Sequence, residues 1–289
     1  MADPALRQAL KRRDFIAAPG VFDMMSVKIA NRVGFDAVYA SGYWLTASYL
    51  GLPDAGIATY TDMLNRVGQV CELAEAPVIA DADTGYGALL NLHHTVKGYE
   101  KVGVSGFQFE DQVFPKQCGH VGRRQVIPME EMVQKIGVAL DARSDADMLL
   151  IARTDARSNH GLNAAIERGQ AYAEAGADVV FVEALESVDE MRKACQIIDA
   201  PLLANMANGG STPLLSRDEL IDVGYSAAIF PAMSALSAMA AVEKSFLHFK
   251  ATGTTRHPDI DHFDFQDMCQ MLGFGDVHAF EDRWLNDER

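Results

Sequence analysis

Asp81 and Asp83 stand two residues apart in VIADADTGYG, a spacing that points both carboxylates the same way on a β-strand. Glu110 ends another apolar run, GFQFED, and can reach the same place. Three hard oxygen donors without His or Cys suit Mg2+ or Mn2+, which keep their remaining positions for water or substrate oxygens. The spacing also allows a structural reading, with Asp83 capping the helix after TGYGALL and Asp81 buried and paired.

A second concentration of chemistry lies in PKQCGHVGRR (115–124), where Lys116, His120, Arg123 and Arg124 surround Cys118. Cationic, exposed surroundings tune a thiol and make it chemically competent; the plain alternative is a surface cysteine beside a solvated basic patch. Arg153, in IARTDA, has the planar fork that clamps a carboxylate bidentately. Glu183 could orient that fork and Asn205 could bond the same substrate group. A salt bridge across the site is the structural reading of Arg153.

These residues need elements to hold them. Apolar runs at 15–19, 37–41, 77–83, 106–111, 148–155, 178–183, 201–205 and 227–231 alternate with amphipathic stretches. One such stretch is AAIERGQAYAEAGA (164–177), with Ala165, Ile166, Gln170, Ala173 and Ala175 opposite its charged positions. Several helices close on Gly before the next strand, as in NRVGFDAVYA and AEAGADVVFV. Eight near-continuously apolar strands between helices predict a single α/β domain over 1–289, a (β/α)8 TIM barrel. Residues from about 245 onward exceed what an eighth helix needs and predict a C-terminal helical extension.

In a barrel the strand C-termini converge on one mouth, where active sites are built. Ser41 and Gly42, Asp81 and Asp83, Glu110 and Asp111, Arg153 and Asp155, Glu183, and Asn205 all fall at strand ends. One such residue reads as a helix cap; six strand ends in succession do not.

Composition limits the partners. The 289 residues carry 25 Lys and Arg against 40 Asp and Glu, a net charge of −15. That balance disfavours nucleic acid and anionic membrane surfaces. An anionic substrate would then need a metal or a local basic cluster. No apolar run is long enough to span a membrane. The start, MADPALRQALKRRDF, predicts a helix rather than a signal peptide. Cys71, Cys118, Cys195 and Cys269 are scattered without metal spacing, which fits a reducing, cytoplasmic location.

With these residues in place, the chain resembles the isocitrate lyase/phosphoenolpyruvate mutase superfamily from about Ala17 to Pro231. The resemblance rests on PGVFDMMSVKIANRVGFDAVYASG, GLPDAGI, DADTGYG, FEDQVFPKQCGH, ARTDA, GLNAAIERGQAYAEAGAD and ANMANGGSTP. Lys-x-Cys-Gly-His is the most specific of these and marks the lyase branch. The resemblance implies Mg2+ on Asp81 and Asp83, with Glu110 and Asp54 contacting its waters. It implies that the backbone N–H groups of Ser41, Gly42 and Tyr43, with Arg153 in part, bind a 2-oxo acid carboxylate. Tyr39 matches the candidate base and Cys118 the acid. Gly119 and His120 would line the site, and Glu183 and Asn205 would complete it. A homotetramer exchanging C-terminal helices is also implied.

The expected reaction is cleavage of a 2-hydroxy di- or tricarboxylate to pyruvate or a similar 2-oxo acid plus a carboxylic acid. Asn208 stands where many relatives carry Glu, and no match to the C-terminal Arg of methylisocitrate lyases is found. The Asn-Met and Gly-Gly-x-Thr-Pro context is nearer to dimethylmalate lyases and oxaloacetate hydrolases. A substituted malate such as 2,3-dimethylmalate is therefore expected first, 2-methylisocitrate second, and hydrolysis of oxaloacetate to oxalate and acetate third. A non-catalytic binding barrel is the alternative of another class.

Overall fold

The eight apolar runs form eight parallel strands in a computed structural model that describes residues 1–116, 125–257 and 259–285. They are β1 (Ile16–Val21), β2 (Val38–Ala40), β3 (Val78–Asp81), β4 (Gly106–Glu110), β5 (Leu149–Thr154), β6 (Val179–Val182), β7 (Leu202–Asn205) and β8 (Ala227–Phe230). Each pairs with the next, and β8 closes on β1 from Ile16↔Ala227 to Pro19↔Phe230. The expected closed barrel is the fold.

The helices are α1 (Ala5–Arg12), α2 (Met24–Val33), α3 (Gly42–Leu50), α4 (Tyr60–Leu73), α5 (Leu89–Lys101) and α6 (Met129–Ala142). They continue as α7 (Arg157–Glu174), α8 (Val188–Ile197), α9 (Arg217–Val223), α10 (Met233–Thr252), α11 (Phe265–Met271) and α12 (Phe274–Leu285). Their starts are written locally. Asp23 with Ser26, Thr59 with Asp62, and Ser216 with Glu219 form reciprocal capping boxes on α2, α4 and α9. At the other end of α9, Gly224 takes φ 117° and returns its N–H to the carbonyls of Leu220 and Ile221, a conformation open to glycine.

Alternation along each strand divides the core. Outward residues such as Ala80, Phe107, Phe109, Leu150 and Ala152 pack under the helices. Inward residues, including Tyr39, Ile79, Ile151, Phe181, Leu203 and Ile229, fill the barrel. A fully buried Phe such as Phe107 contributes about 2–3 kcal/mol through removal of apolar surface from water. Leu6 of α1 joins Ile16, Ala37, Leu149, Val179 and Ala227, residues at or just before the strand starts, and so plugs the end opposite the mouth.

The buried seam of α7 differs from the expected one. Ala165 and Ile166 are buried as predicted, but Gly169 and Tyr172 continue the seam, leaving Gln170, Ala173 and Ala175 half-buried. Tyr172 decides the rotation, because its hydroxyl reaches inward to Asp111 Oδ2 at 2.7 Å.

The chain divides into two units, Met1–Ala235 and Leu236–Arg289. The first is the barrel. The second holds the rest of α10, with α11 and α12, and no side chain of α11 or α12 is buried. Among the described residues no helix is long and apolar enough to cross a membrane.

Candidate active site

Asp81 ends β3 and Asp83 follows it with φ 49°. A non-glycine residue in the left-handed region is strained, and such strain concentrates at functional sites. Here hydrogen bonds hold it: Asp83 N–H donates to Asp81 Oδ1 at 3.0 Å, and Asp83 O accepts from Glu110 N–H at 2.9 Å. Asp83 is not a helix cap, since α5 starts six residues later behind Ala88. Both carboxylates turn to the same point. A Cβ built on Gly42 would stand 2.8 Å from Asp81 Oδ2 and 3.3 Å from Asp83 Oδ1. Glycine is needed there for close approach.

Gly42 opens α3, and the Ser41 hydroxyl before it makes no capping bond. The first-turn N–H groups of α3 are thus left uncapped by a side chain, and a helix N-terminus of this kind favours an anion.

Lys116 comes to the same place. Its Nζ lies 2.7 Å from Asp54 Oδ2 and 2.8 Å from Asp83 Oδ1, with the side chain 4% exposed. Burial works against its charge, but Asp83, Asp54, Glu110 and Asp81 together raise its pKa well above the ordinary value. Burial raises the Asp83 carboxyl to about 7, with Lys116 opposing and Asp81 and Asp54 adding to the rise. Lys116 is therefore a buried partner of the carboxylates and not part of a solvated basic patch.

On the other side of the mouth, Arg153 is paired in register with Glu110 across β4 and β5. Its Nε lies 2.8 Å from Asp155 Oδ2 and its Nη2 2.9 Å from Asp155 Oδ1. Glu110 Oε2 is 3.2 Å from Nε, and Glu183 Oε2 is 3.3 Å from Nη2. The bidentate clamp anticipated for a substrate carboxylate is made in the structure to Asp155. Phe181 lies beneath, 5.0 Å from the guanidinium carbon to the ring centre. Asn205 Nδ2 donates to Glu183 Oε2 at 3.1 Å, so Glu183 and Asn205 do meet at Arg153. Burial holds Glu110 well above the usual carboxylate range, with Arg153 opposing.

Tyr39 lies within the barrel and donates to Gln108 Oε1 at 3.2 Å, while Gln108 Nε2 faces Asp81 Oδ1 at 3.4 Å. Burial raises its phenol well above 10, and Asp81 adds to this. In this arrangement Tyr39 is a protonated donor, which sits poorly with a ready-made base.

Three buried oxygens have no protein partner among the described residues: Thr84 Oγ1, Glu110 Oε1 and Asn205 Oδ1. The carboxylates of Asp54, Asp81, Asp83, Glu110, Asp155 and Glu183 outnumber the cations of Lys116 and Arg153. That excess suits a further cation. Among the described residues no three acidic, His or Cys side chains form a ready cage, whereas Mg2+ is commonly held by one or two carboxylates with waters and substrate. Cys118, Gly119 and His120 lie outside the described residues.

Residues 6–250 match the phosphoenolpyruvate phosphomutase family. The chain belongs to the phosphoenolpyruvate mutase/isocitrate lyase superfamily. It is 43% identical to a 2,3-dimethylmalate lyase of Eubacterium barkeri over 276 residues, covering 96% of each chain. It is 41% identical to a 2-methylisocitrate lyase of Aeropyrum pernix, covering 96% of this chain and 88% of that one. A solved oxaloacetate acetylhydrolase, in complex with 3,3-difluorooxalacetate, superposes with a TM-score of 0.90 at 32% identity, covering 96% of this chain and 95% of that one. Within the superfamily this chain is an enzyme, a carbon–carbon lyase.

Three residues that meet the others at this mouth carry no site assignment in the sequence reading. Asp155 was noted at a strand end, but its grip on Arg153 was not foreseen. Gln108 could have been found, because it is a polar residue at an inward position of an otherwise apolar strand, in step with Glu110. Lys116 had been counted only as a neighbour of Cys118.

Proposed function

We propose that this chain is a Mg2+-dependent lyase that splits a substituted malate, such as 2,3-dimethylmalate, into pyruvate or a similar 2-oxo acid and a simple carboxylic acid. The observation that carries the reading is the convergence of Asp81 and Asp83 on Gly42, at the uncapped start of α3. A cation held by the two carboxylates would there adjoin an anion-binding helix end. The 43% identity with a 2,3-dimethylmalate lyase supports this substrate first, and the 41% identity with a 2-methylisocitrate lyase supports 2-methylisocitrate second.

The residues fit the ion: buried carboxylates in excess, all hard oxygen donors, with the Glu110 Oε1 acceptor unpartnered among the described residues. Asp81 and Asp83 would hold Mg2+, or Mn2+ in its place, with Glu110 and Asp54 reaching its waters. Bound there, the ion would supply a Lewis acid to the substrate's 2-hydroxyl and adjacent carboxylate.

The chain's own groups do the rest. N–H groups of Ser41, Gly42 and Tyr43 bind the carboxylate of the forming 2-oxo acid. Tyr39 is the candidate base for the 2-hydroxyl proton, a role open to it only as the phenolate. Burial opposes its phenolate, and Arg153 and Lys116 favour it. As the C2–C3 bond breaks, its electron pair moves into the other fragment, an aci-carboxylate of double negative charge. Arg153, held by Asp155 and Glu183, would share in binding the 2-oxo acid carboxylate, and Glu183 and Asn205 would complete the pocket. Cys118 would then deliver its proton to the fragment's carbon, with Gly119 and His120 as further candidates of the pocket lining.

Cys118→Ser tests this assignment. Turnover is expected to disappear while oxalate, a 2-oxo acid analogue, still binds with Mg2+ in calorimetry; undiminished turnover would sink the role of Cys118. A second reading, oxaloacetate hydrolysis, is supported by the likeness to an oxaloacetate acetylhydrolase, whose TM-score of 0.90 equals that of a solved 2,3-dimethylmalate lyase. It would show as oxalate release from oxaloacetate.

The small anionic substrate is one partner and a further copy of the chain another. A homotetramer that exchanges C-terminal helices is supported by Phe265, Phe274, Phe280 and Trp284, which lie exposed on α11 and α12. A cytoplasmic location is supported by the free cysteines Cys71, Cys195 and Cys269.

A further inference from the structure

The acidic side of the mouth already contains a cation of its own. Lys116 makes two ion pairs, at 2.7 Å to Asp54 Oδ2 and 2.8 Å to Asp83 Oδ1, and all three side chains are at most a tenth exposed. Asp83 is a proposed ligand of the ion, and Asp54 a proposed partner of its waters. We propose that Lys116 is a tethered counter-ion which shares Asp83 with Mg2+ and holds the site's metal affinity below what its carboxylates alone would give. The inference rests on the magnesium reading above.

Three physical points carry it. An ammonium is a compact charge with three donors, so one Lys can serve two carboxylates from different segments, as it does here. In a buried setting such charges are weakly screened, and a cation bonded to Asp83 lowers the negative potential felt by a second cation. Without any cation, Asp54, Asp81 and Asp83 would repel one another, and the ammonium offsets that repulsion. An incoming ion must therefore displace Lys116 from Asp83 or sit beside its charge. Both routes weaken metal binding.

The opposite role has the opposite sign. If Lys116 served only to hold Asp83 in its strained, ligand-ready conformation, removing it would weaken binding. Titration calorimetry of Mg2+ and Mn2+ into the full-length protein separates the two. Lys116→Met, of similar length and uncharged, should bind about tenfold or more tightly than the wild type, the scale expected for deleting a buried like charge. Lys116→Arg, which keeps the charge, should not tighten.

The same sign should appear in heat denaturation, where Mg2+ should raise the Tm of Lys116→Met by more than that of the wild type. Lys116→Gln gives a second neutral variant if the Met substitution disturbs folding. Unchanged or weaker binding in folded neutral variants would overturn the counter-ion role while leaving the magnesium reading intact. Failure of the wild type and every variant to bind either ion, with or without oxalate, would overturn the magnesium reading and this inference with it.

Discussion

Asp155 holds Arg153 by two nitrogens of its guanidinium, at 2.8 Å from Oδ2 to Nε and 2.9 Å from Oδ1 to Nη2. Asp155 is held in turn. Asp111 Oδ1 accepts its backbone N–H at 2.9 Å, and Asp111 Oδ2 accepts from Thr154, Tyr172 and Arg168. The position of Arg153 at the mouth is thus fixed from β4, β5 and α7 together.

Loss of this grip should reach the chemistry. Asp155→Asn removes the charge and one acceptor, leaving Glu110 and Glu183 to pull the guanidinium from its place. Steady-state kinetics should show kcat/KM reduced by about 100-fold, the cost of misplacing a charge by about an ångström.

Gly42→Ala places a methyl group 2.8 Å from Asp81 Oδ2, closer than van der Waals contact allows. The expected result is turnover reduced by about 100-fold. Far-UV circular dichroism should stay unchanged, because the methyl group meets carboxylates of the mouth and leaves the barrel packing alone.

At the opposite end of the barrel, Asp178 accepts from Arg7 at 2.8 Å, Arg143 at 2.6 Å and Leu150 N–H at 2.9 Å. Burial raises its carboxyl, but these donors outweigh burial and hold it below the ordinary value of 3.8. A depressed native pKa adds stability above the unfolded value, and that stability is lost as pH falls through the native one. Asp178→Asn should cost about 2 kcal/mol at pH 7 in urea denaturation. The gap between variant and wild type should close below about pH 4.

Burial pushes the thiols of Cys71 and Cys195 up to about 12. Neither should form appreciable thiolate at pH 8, so iodoacetamide should leave both unmodified in the native protein. If Cys118 is the acid, inactivation should track its alkylation, and oxalate with Mg2+ should slow both. Peptide mass spectrometry reads all three sites.

The barrel was legible because each parallel strand is apolar on both faces and bounded by helix-ending signals. Asp81 and Glu110 were legible for a related reason: the two-residue period of a strand fixes which way a carboxylate points. Asp83 reaches the same point by another route, past the end of β3 and with φ 49°. Lys116 was not, because its direction depends on Asp54, which lies 62 residues earlier and meets it only once the barrel has closed. For Arg153 the sequence left both a substrate clamp and a salt bridge open, and it did not single out Asp155 as the partner the structure shows. Tyr39 shows a further limit, since its raised pKa comes from burial inside the barrel and not from its neighbours in sequence.

The most direct test of the central claim is a product assay on 2,3-dimethylmalate, 2-methylisocitrate, isocitrate, other alkylmalates and oxaloacetate, with Mg2+ and after its removal by chelation. The account predicts release of a 2-oxo acid in equal amount to a carboxylic acid, with a substituted malate turned over fastest, loss on chelation, and recovery on adding Mg2+ back. Oxalate from oxaloacetate with no 2-oxo acid from any malate, or turnover that survives complete chelation, would contradict it.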